Sequence, residues 1–240
     1  MQLLTKKNVW ALFFLSAGMM ISQPDYASIV MNGTRVIYQG NKNEVTISLT
    51  NKNKRPVLIQ SWIDTGNENT TPEKISVPFV LSPPVNRVDP EKGQTIRISY
   101  TGVPALPQDK ESVYWLNVLE VPSKNKDSEA SKQKLNVVFR TRIKLFYRPE
   151  GLEGDSNKAP DDLHWRLNGQ NVTAQNNSKY NVTIFTLNYK ASGVTSESKG
   201  AMIGPGESHT FSLKNSGNID GLSFDTINDY GALINHKAKS

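Results

Sequence analysis

The sequence predicts an all-β protein built from two sandwiches, and three observations predict it. Short segments of alternating apolar and polar residues recur along the chain, separated by clusters of Gly, Pro, Asn, Asp and Ser. Beyond the N-terminal segment, no amphipathic window of about 11 residues repeats at the helical period. A stretch rich in structure breakers, Pro149-Glu-Gly-Leu-Glu-Gly-Asp-Ser-Asn-Lys-Ala-Pro160, divides the strand signals into two groups and reads as a linker.

The chain opens with Lys6-Lys7 and an apolar run from Val9 to Ile21. The run is too short to span a bilayer comfortably and has the shape of a signal-peptide core. Ala27 supplies a small residue at the −1 position of a cut before Ser28, whereas Asp25 departs from the small-residue rule at −3. Residues 1–27 are therefore expected to be removed. No second run of membrane length follows, so the mature protein is expected to be exported and not inserted in a membrane.

Seven strand candidates precede Pro149: Ser28–Tyr38, Glu44–Asn51, Pro56–Asp64, Ser76–Leu81, Thr95–Tyr100, Ser112–Val121 and Leu135–Tyr147. That is the usual count for an immunoglobulin-like sandwich, and Trp62 on the third candidate resembles the core tryptophan of such folds. After the linker, strand signals resume at Leu163–Leu167, Gln170–Asn176, Asn181–Tyr189, Ala201–Ile203, His209–Leu213 and Leu222–Asn228. The expected division is residues 1–27 as signal peptide, 28–149 as the first sandwich and 150–240 as a shorter, more polar second one.

The last candidate of the first group is the most informative. Leu135, Val137, Phe139, Thr141 and Ile143 share one face by the period of two, while Arg140, Arg142 and Lys144 share the other. Three cations on one side of a strand suit a sheet edge, where charge discourages indiscriminate pairing. An edge with a regular apolar row can also be lent to another protein.

Composition narrows the chemistry. Of 240 residues none is Cys, which excludes disulfides, zinc–thiolate sites and iron–sulfur clusters. Loss of residues 1–27 would remove Lys6, Lys7 and Asp25, leaving 26 cations against 21 carboxylates, a net charge of +5. The cations are spread along strand signals instead of forming one stripe, which argues against nucleic acid and for recognition of acidic groups or a chain terminus. The three histidines, His164, His209 and His236, form no metal-ligand spacing and read as surface residues. No nucleophile elbow, P-loop or dinucleotide fingerprint occurs, and Gly204-Pro-Gly206 is a turn signal. Neither catalysis nor a cofactor or metal is expected. Asn181-Val-Thr183 is a chance glycosylation triplet in an Asn-rich chain.

Leu106-Pro-Gln-Asp-Lys-Glu-Ser-Val-Tyr-Trp-Leu-Asn-Val-Leu-Glu-Val-Pro-Ser123 resembles the signature of the periplasmic pilus-assembly chaperones, the PapD and FimC family. Gly33-Thr-Arg-Val-Ile-Tyr38, Ser82-Pro-Pro-Val-Asn-Arg-Val-Asp-Pro90 and Ile143-Lys-Leu-Phe-Tyr-Arg-Pro149 agree with it, and Ile227-Asn-Asp-Tyr-Gly231 resembles the family's closing strand. The likeness covers residues 28 to about 231, looks closest to the EcpD-like members and, through the loop Ser123–Lys134, to the short-loop branch.

The resemblance implies two immunoglobulin-like domains arranged as an L around a cleft. It implies a periplasmic protein that binds pilus or fimbrial subunits by donor-strand complementation and delivers them to an outer-membrane usher. Leu135, Val137 and Phe139 would be the donated row, with Phe139 bulkier than the aliphatic residue usual there. Arg35 and Lys144 would hold the subunit's C-terminal carboxylate. Glu111, Arg148 and Asp229 would bridge the domains. The exposed edge also makes a self-capping homodimer an expected partner state. The competing readings are a structural pilin or adhesin, and an enzyme or carbohydrate-binding module on a β-sandwich.

Overall fold

The computed structural model describes residues 29–122, 138–191, 194–214 and 217–239. Among them are 17 strands in four sheets, with single-turn 3-10 helices as the only helical pieces. The first sandwich holds β1 (Ile29–Met31), β2 (Arg35–Gln39), β3 (Glu44–Asn51), β4 (Val57–Asp64), β5 (Phe79–Ser82), β6 (Val85–Val88), β7 (Gly93–Tyr100), β8 (Ser112–Pro122) and β9 (Phe139–Arg148). One of its sheets runs β1-β3-β7-β5 and the other β2-β9-β8-β4-β6. The second sandwich holds β10 (Leu163–Asn168), β11 (Asn171–Asn176), β12 (Val182–Ala191), β13 (Val194–Lys199), β14 (Met202–Ile203), β15 (Ser208–Ser212), β16 (Leu222–Ile227) and β17 (Leu233–Lys237). Its sheets run β10-β11-β15 and β13-β12-β16-β17, with β14 beside β12.

Each sandwich has its own apolar core, fed by alternate residues of facing sheets. Ile47, Leu49, Ile96, Ile98, Leu116 and Leu145 close the first. Trp165, Val172, Leu187, Phe211 and Phe224 close the second. A buried asparagine ends a strand in each. Asn51 Nδ2 donates to the carbonyls of Arg55 and Val88, and Asn176 Nδ2 to those of Tyr180 and Ile203. Each side-chain oxygen accepts the N–H two residues on, from Asn53 and Ser178. Such bonds satisfy backbone groups that the ladders leave over.

The strand candidate Ser28–Tyr38 is two strands on different sheets. β1 pairs antiparallel with β3, the chain turns at Asn32–Thr34, and β2 pairs parallel with β9. This switch gives β9 an uneven environment. Residues 144–147 of β9 lie between β2 and β8, while residues 139–143 pair only with β8 among the described residues. The edge expected for the whole strand therefore belongs to its first half.

Three expectations need correction. Trp62 is not a core residue: Val57, Ile59, Ser61 and Ile63 take the inward phase of β4, and Trp62 shares the outward phase of Leu58 and Gln60. The buried tryptophan is Trp165, in the second sandwich. Ile227–Gly231 is not a strand, since β16 ends at Ile227 and Asn228 accepts backbone N–H groups in the turn before β17. Finally, β6, β13 and β17 add to the expected strands. They lie at sheet edges and are short or polar, so they carry little apolar alternation.

Candidate binding site

Arg35 and Lys144 begin the parallel β2–β9 pairing as direct Cα partners, at the point beyond which β9 pairs only with β8 among the described residues. Parallel register places both side chains on one face of the sheet, toward the second sandwich. Lys144 Nζ donates to Thr183 Oγ1 at 3.1 Å, and Arg35 Nη1 donates to the Ile227 carbonyl at 2.9 Å. The Arg35 guanidinium also stands 5.7 Å from the centre of the Phe146 ring. Its Nε is buried with no hydrogen-bond partner, a donor left over in a place where burial normally demands pairing.

The electrostatics are unbalanced in a useful way. Burial, and then the neighbouring Arg35 charge, lower the Lys144 pKa to about 8. Burial also lowers the Arg35 pKa, opposed by the Asp229 and Glu111 charges. The two cations are held side by side, with no carboxylate bonded to either among the described residues. An open cleft of about 420 Å³ lies here, lined by Arg35, Trp115, Lys144, Thr183, Ile227 and Gly231. A more enclosed recess of about 240 Å³ adjoins the other side of Arg35, between Phe146, Asn181, Asp229 and Tyr230.

Glu111, Arg148 and Asp229 do meet. Arg148 Nε and Nη2 donate to Glu111 Oε1 at 3.1 and 2.8 Å, and Nη1 and Nη2 to the two Asp229 oxygens at 2.8 and 3.2 Å. The second Glu111 oxygen accepts from the backbone N–H and from Nδ2 of Asn181, each at 2.9 Å, and Ser156 Oγ donates to Asp229. The guanidinium lies 5.1 Å from the centre of the Tyr180 ring. Burial would lower the Arg148 pKa, but the two carboxylates outweigh it and raise it. Burial would raise the Asp229 carboxyl, yet its bonds to Arg148 and Ser156 hold it below its ordinary value. One cation at the end of β9 thus binds carboxylates from both sides of the linker.

Of the expected donor row, Leu135 and Val137 lie outside the described residues, as does the Ser123–Lys134 loop. Phe139 is described and is 49% exposed at the start of β9, beside the backbone of Glu120. The sequence pattern does not mark Thr183, Asn181 or Ser156, whose roles come from contacts across the linker. The triplet Asn181-Val-Thr183 is explained by those contacts, since its two polar side chains face Glu111 and Lys144.

The histidines need one correction. His236 is held between Thr226 Oγ1 at 2.9 Å and Asp161 Oδ1 at 3.1 Å, and stacks on Phe224. The order matches a nucleophile–base–orienter relay, but Thr226 is 2% exposed and the ring is packed on a core aromatic. The arrangement pins the turn after the linker, where Asp161 sits, to the closing strands. No cluster of three metal-ligating side chains occurs among the described residues.

Family models match both sandwiches. Residues 28–153 match the pili and flagellar-assembly chaperone PapD N-terminal domain, and residues 158–238 the pili assembly chaperone PapD C-terminal domain. The chain belongs to the PapD family of pilus-assembly chaperones. It is 41% identical to the probable fimbrial chaperone YadV of Escherichia coli K12, over 97% of this chain and 98% of that one. It is 40% identical to the chaperone protein FimB/FhaD of Bordetella pertussis, over 88% of each. Among solved structures, the YadV chaperone superposes with a TM-score of 0.75 at 38% identity, covering 88% of this chain and 99% of that one. The Pseudomonas aeruginosa CupB2 chaperone superposes with a TM-score of 0.72 at 33% identity, covering 86% and 98%. The two sandwiches described above are the two domains of this PapD-family chaperone.

Proposed function

We propose that this PapD-family chain works in the periplasm as a chaperone for fimbrial subunits, gripping the subunit's C-terminal carboxylate between Arg35 and Lys144. The observation that carries the reading is where those two cations sit. They mark the boundary between the half of β9 covered by β2 and the half whose outer edge has no partner among the described residues. An incoming strand on the free half would continue the track of β2, with its carboxyl end meeting Arg35 and Lys144. Arg can bind the carboxylate in two-pronged fashion and Lys adds a compact charge.

Main-chain pairing along residues 139–143 would supply affinity, and Phe139, with Leu135 and Val137 before it, would fill the groove that an incomplete sandwich leaves open. Each such side chain contributes on the order of 1.5–3 kcal/mol when fully buried. The carboxylate fixes where pairing begins, which matters because a slip of one residue turns every apolar side chain away from its pocket. Arg148, with Glu111 and Asp229, would hold the second domain so that Thr183 and the Ile227 carbonyl frame the anchor. Hand-over to an outer-membrane usher and self-capping of the free edge by a second copy complete the reading. Cleavage before Ser28 would deliver the chain to the periplasm.

The test is co-expression in the periplasm with a fimbrial subunit, followed by affinity capture of the chaperone. Capture of the subunit by the wild-type chain, and its loss when the subunit's last residues are deleted, is the expected result. Capture indifferent to the subunit's C-terminus would refute the anchor.

A further inference from the structure

Resting on the strand-lending reading above, we infer that Arg140 and Arg142 form a charge-reading row that selects acidic side chains near the subunit's carboxyl terminus. The row occupies the outward face of β9, where Arg140, Arg142 and Lys144 alternate with the inward Thr141 and Ile143. Cross-strand register ties it to the sheet behind: Arg140 pairs with Leu119, Arg142 with Asn117 and Lys144 with Trp115.

Both guanidinium groups are held in place. Arg140 lies 5.1 Å from the centre of the Trp62 ring and Arg142 lies 4.9 Å from that of Trp115. Arg142 donates to both oxygens of buried Asp64, at 2.6 and 3.3 Å. Arg140 donates to Asn117 Oδ1 and to the Glu68 carbonyl, and reaches Asp64 at 3.5 Å. Asn117 Nδ2 and the Gly66 N–H complete the Asp64 shell. Burial would raise the Asp64 carboxyl, but these donors hold it below its ordinary value.

Two consequences follow from that arrangement. Asp64 is the one carboxylate bonded to the row among the described residues, so Arg140, Arg142 and Lys144 carry an excess of positive charge along the free edge. The two arginines are also pre-positioned by stacking and by the shared carboxylate, so little side-chain freedom is lost on binding. A strand added at this edge lies about 4.8 Å away, with alternate side chains on the same outward face. Its outward residues just before the carboxylate come to lie beside Arg142 and then Arg140. Opposite charges in such cross-strand positions attract, and like charges repel.

The experiment uses the purified protein and acetylated peptides of about ten residues, a typical strand length. The peptides carry Val at inward positions, a free carboxyl terminus, and Glu, Ala or Lys at the two outward positions nearest that terminus. Binding is followed by fluorescence anisotropy. The Glu peptide is expected to bind about threefold tighter per position than the Ala peptide, and the Lys peptide correspondingly weaker. The spread should collapse toward one value in 1 M salt, where the screening length falls to about 3 Å. Arg140→Gln, at the more exposed of the two arginines, should halve the spread without unfolding the chain. Equal affinities for the Glu and Lys peptides, with amidation of the terminus still abolishing binding, would overturn the row and leave the anchor intact. Equal binding of amidated and free peptides would instead overturn the anchor, and the row with it.

Discussion

Lys144 and Thr183 are joined by a 3.1 Å hydrogen bond across the linker, from a strand of the first domain to a strand of the second. The bond gives the half-buried ammonium an acceptor but no counter-charge. Arg35, its register partner, is tied to the same neighbouring domain through the Ile227 carbonyl. Both cations are thus oriented by neutral acceptors, which position a charge without cancelling it. Under the proposed function, a carboxylate arriving at this pair would meet donors already aimed, and its charge would relieve the repulsion between them.

Replacing either anchor should separate capture from folding. Arg35→Ala and Lys144→Ala are each expected to weaken binding of a subunit's C-terminal peptide by about 10- to 100-fold, the loss expected for one charged hydrogen bond. Circular dichroism spectra and thermal midpoints should stay close to wild type, because each side chain gives up one bond to a neutral acceptor. Peptide affinity unchanged by either substitution would rule out the anchor.

The lowered Lys144 pKa, about 8, sets a pH dependence with a definite sign. The unfolded chain holds this proton up to the ordinary lysine range, so between about pH 8 and 10.5 it binds more protons than the folded chain. Burial of the charged lysine therefore costs stability below pH 8, and the cost fades as pH rises through that window. Lys144→Met should raise the thermal midpoint at pH 7, with the gain shrinking toward pH 10. Carboxylate binding runs the other way, since it needs the ammonium: wild-type peptide affinity should fall as pH rises above 8. A flat affinity profile from pH 7 to 9.5 would contradict the shifted ammonium.

Arg148 holds two carboxylates, one of them Glu111 with a side chain only 2% exposed. Arg148→Ala leaves both without their cation, and removing one member of a buried ion pair costs about 3–5 kcal/mol. Small-angle scattering should also report a wider spread of interdomain distances. Arg148→Ala with the wild-type scattering profile and melting point would show the trio to be dispensable.

Much of this was legible in the chain, for reasons that differ by residue. The apolar phase of Val57, Ile59 and Ile63, and of Ile143 and Leu145, is written in the period of two. As candidates, Arg35, Lys144, Glu111, Arg148 and Asp229 stood out only through their motifs, since a single charged residue otherwise looks solvated. Thr183 and Asn181 stood out only as a chance glycosylation triplet, because the partners that explain them lie in the other domain. The outward position of Trp62 was available from the phase it shares with Leu58 and Gln60, against the habit of assigning tryptophan to a core. The split of Ser28–Tyr38 between two sheets has no signature beyond the turn-forming Asn32-Gly33.

Gly231 offers a last test of how the second domain supports the anchor. It lies in the turn after Asp229 with φ at +83°, and a Cβ there would overlap Thr34 Oγ1, next to Arg35. Gly231→Ala should be destabilising twice over, by about 1–2 kcal/mol from the left-handed backbone and further from the overlap. It should also weaken carboxyl-terminal peptide binding, because the turn that follows Ile227 is pushed away from Arg35 and takes the end of β16 with it. Thr34→Ala removes the overlapping hydroxyl but not the backbone strain. The double variant should therefore recover peptide affinity while regaining only part of the lost thermal stability. Additive losses in the double variant would show that Gly231 and Thr34 do not act on one another, and that the turn does not position Arg35.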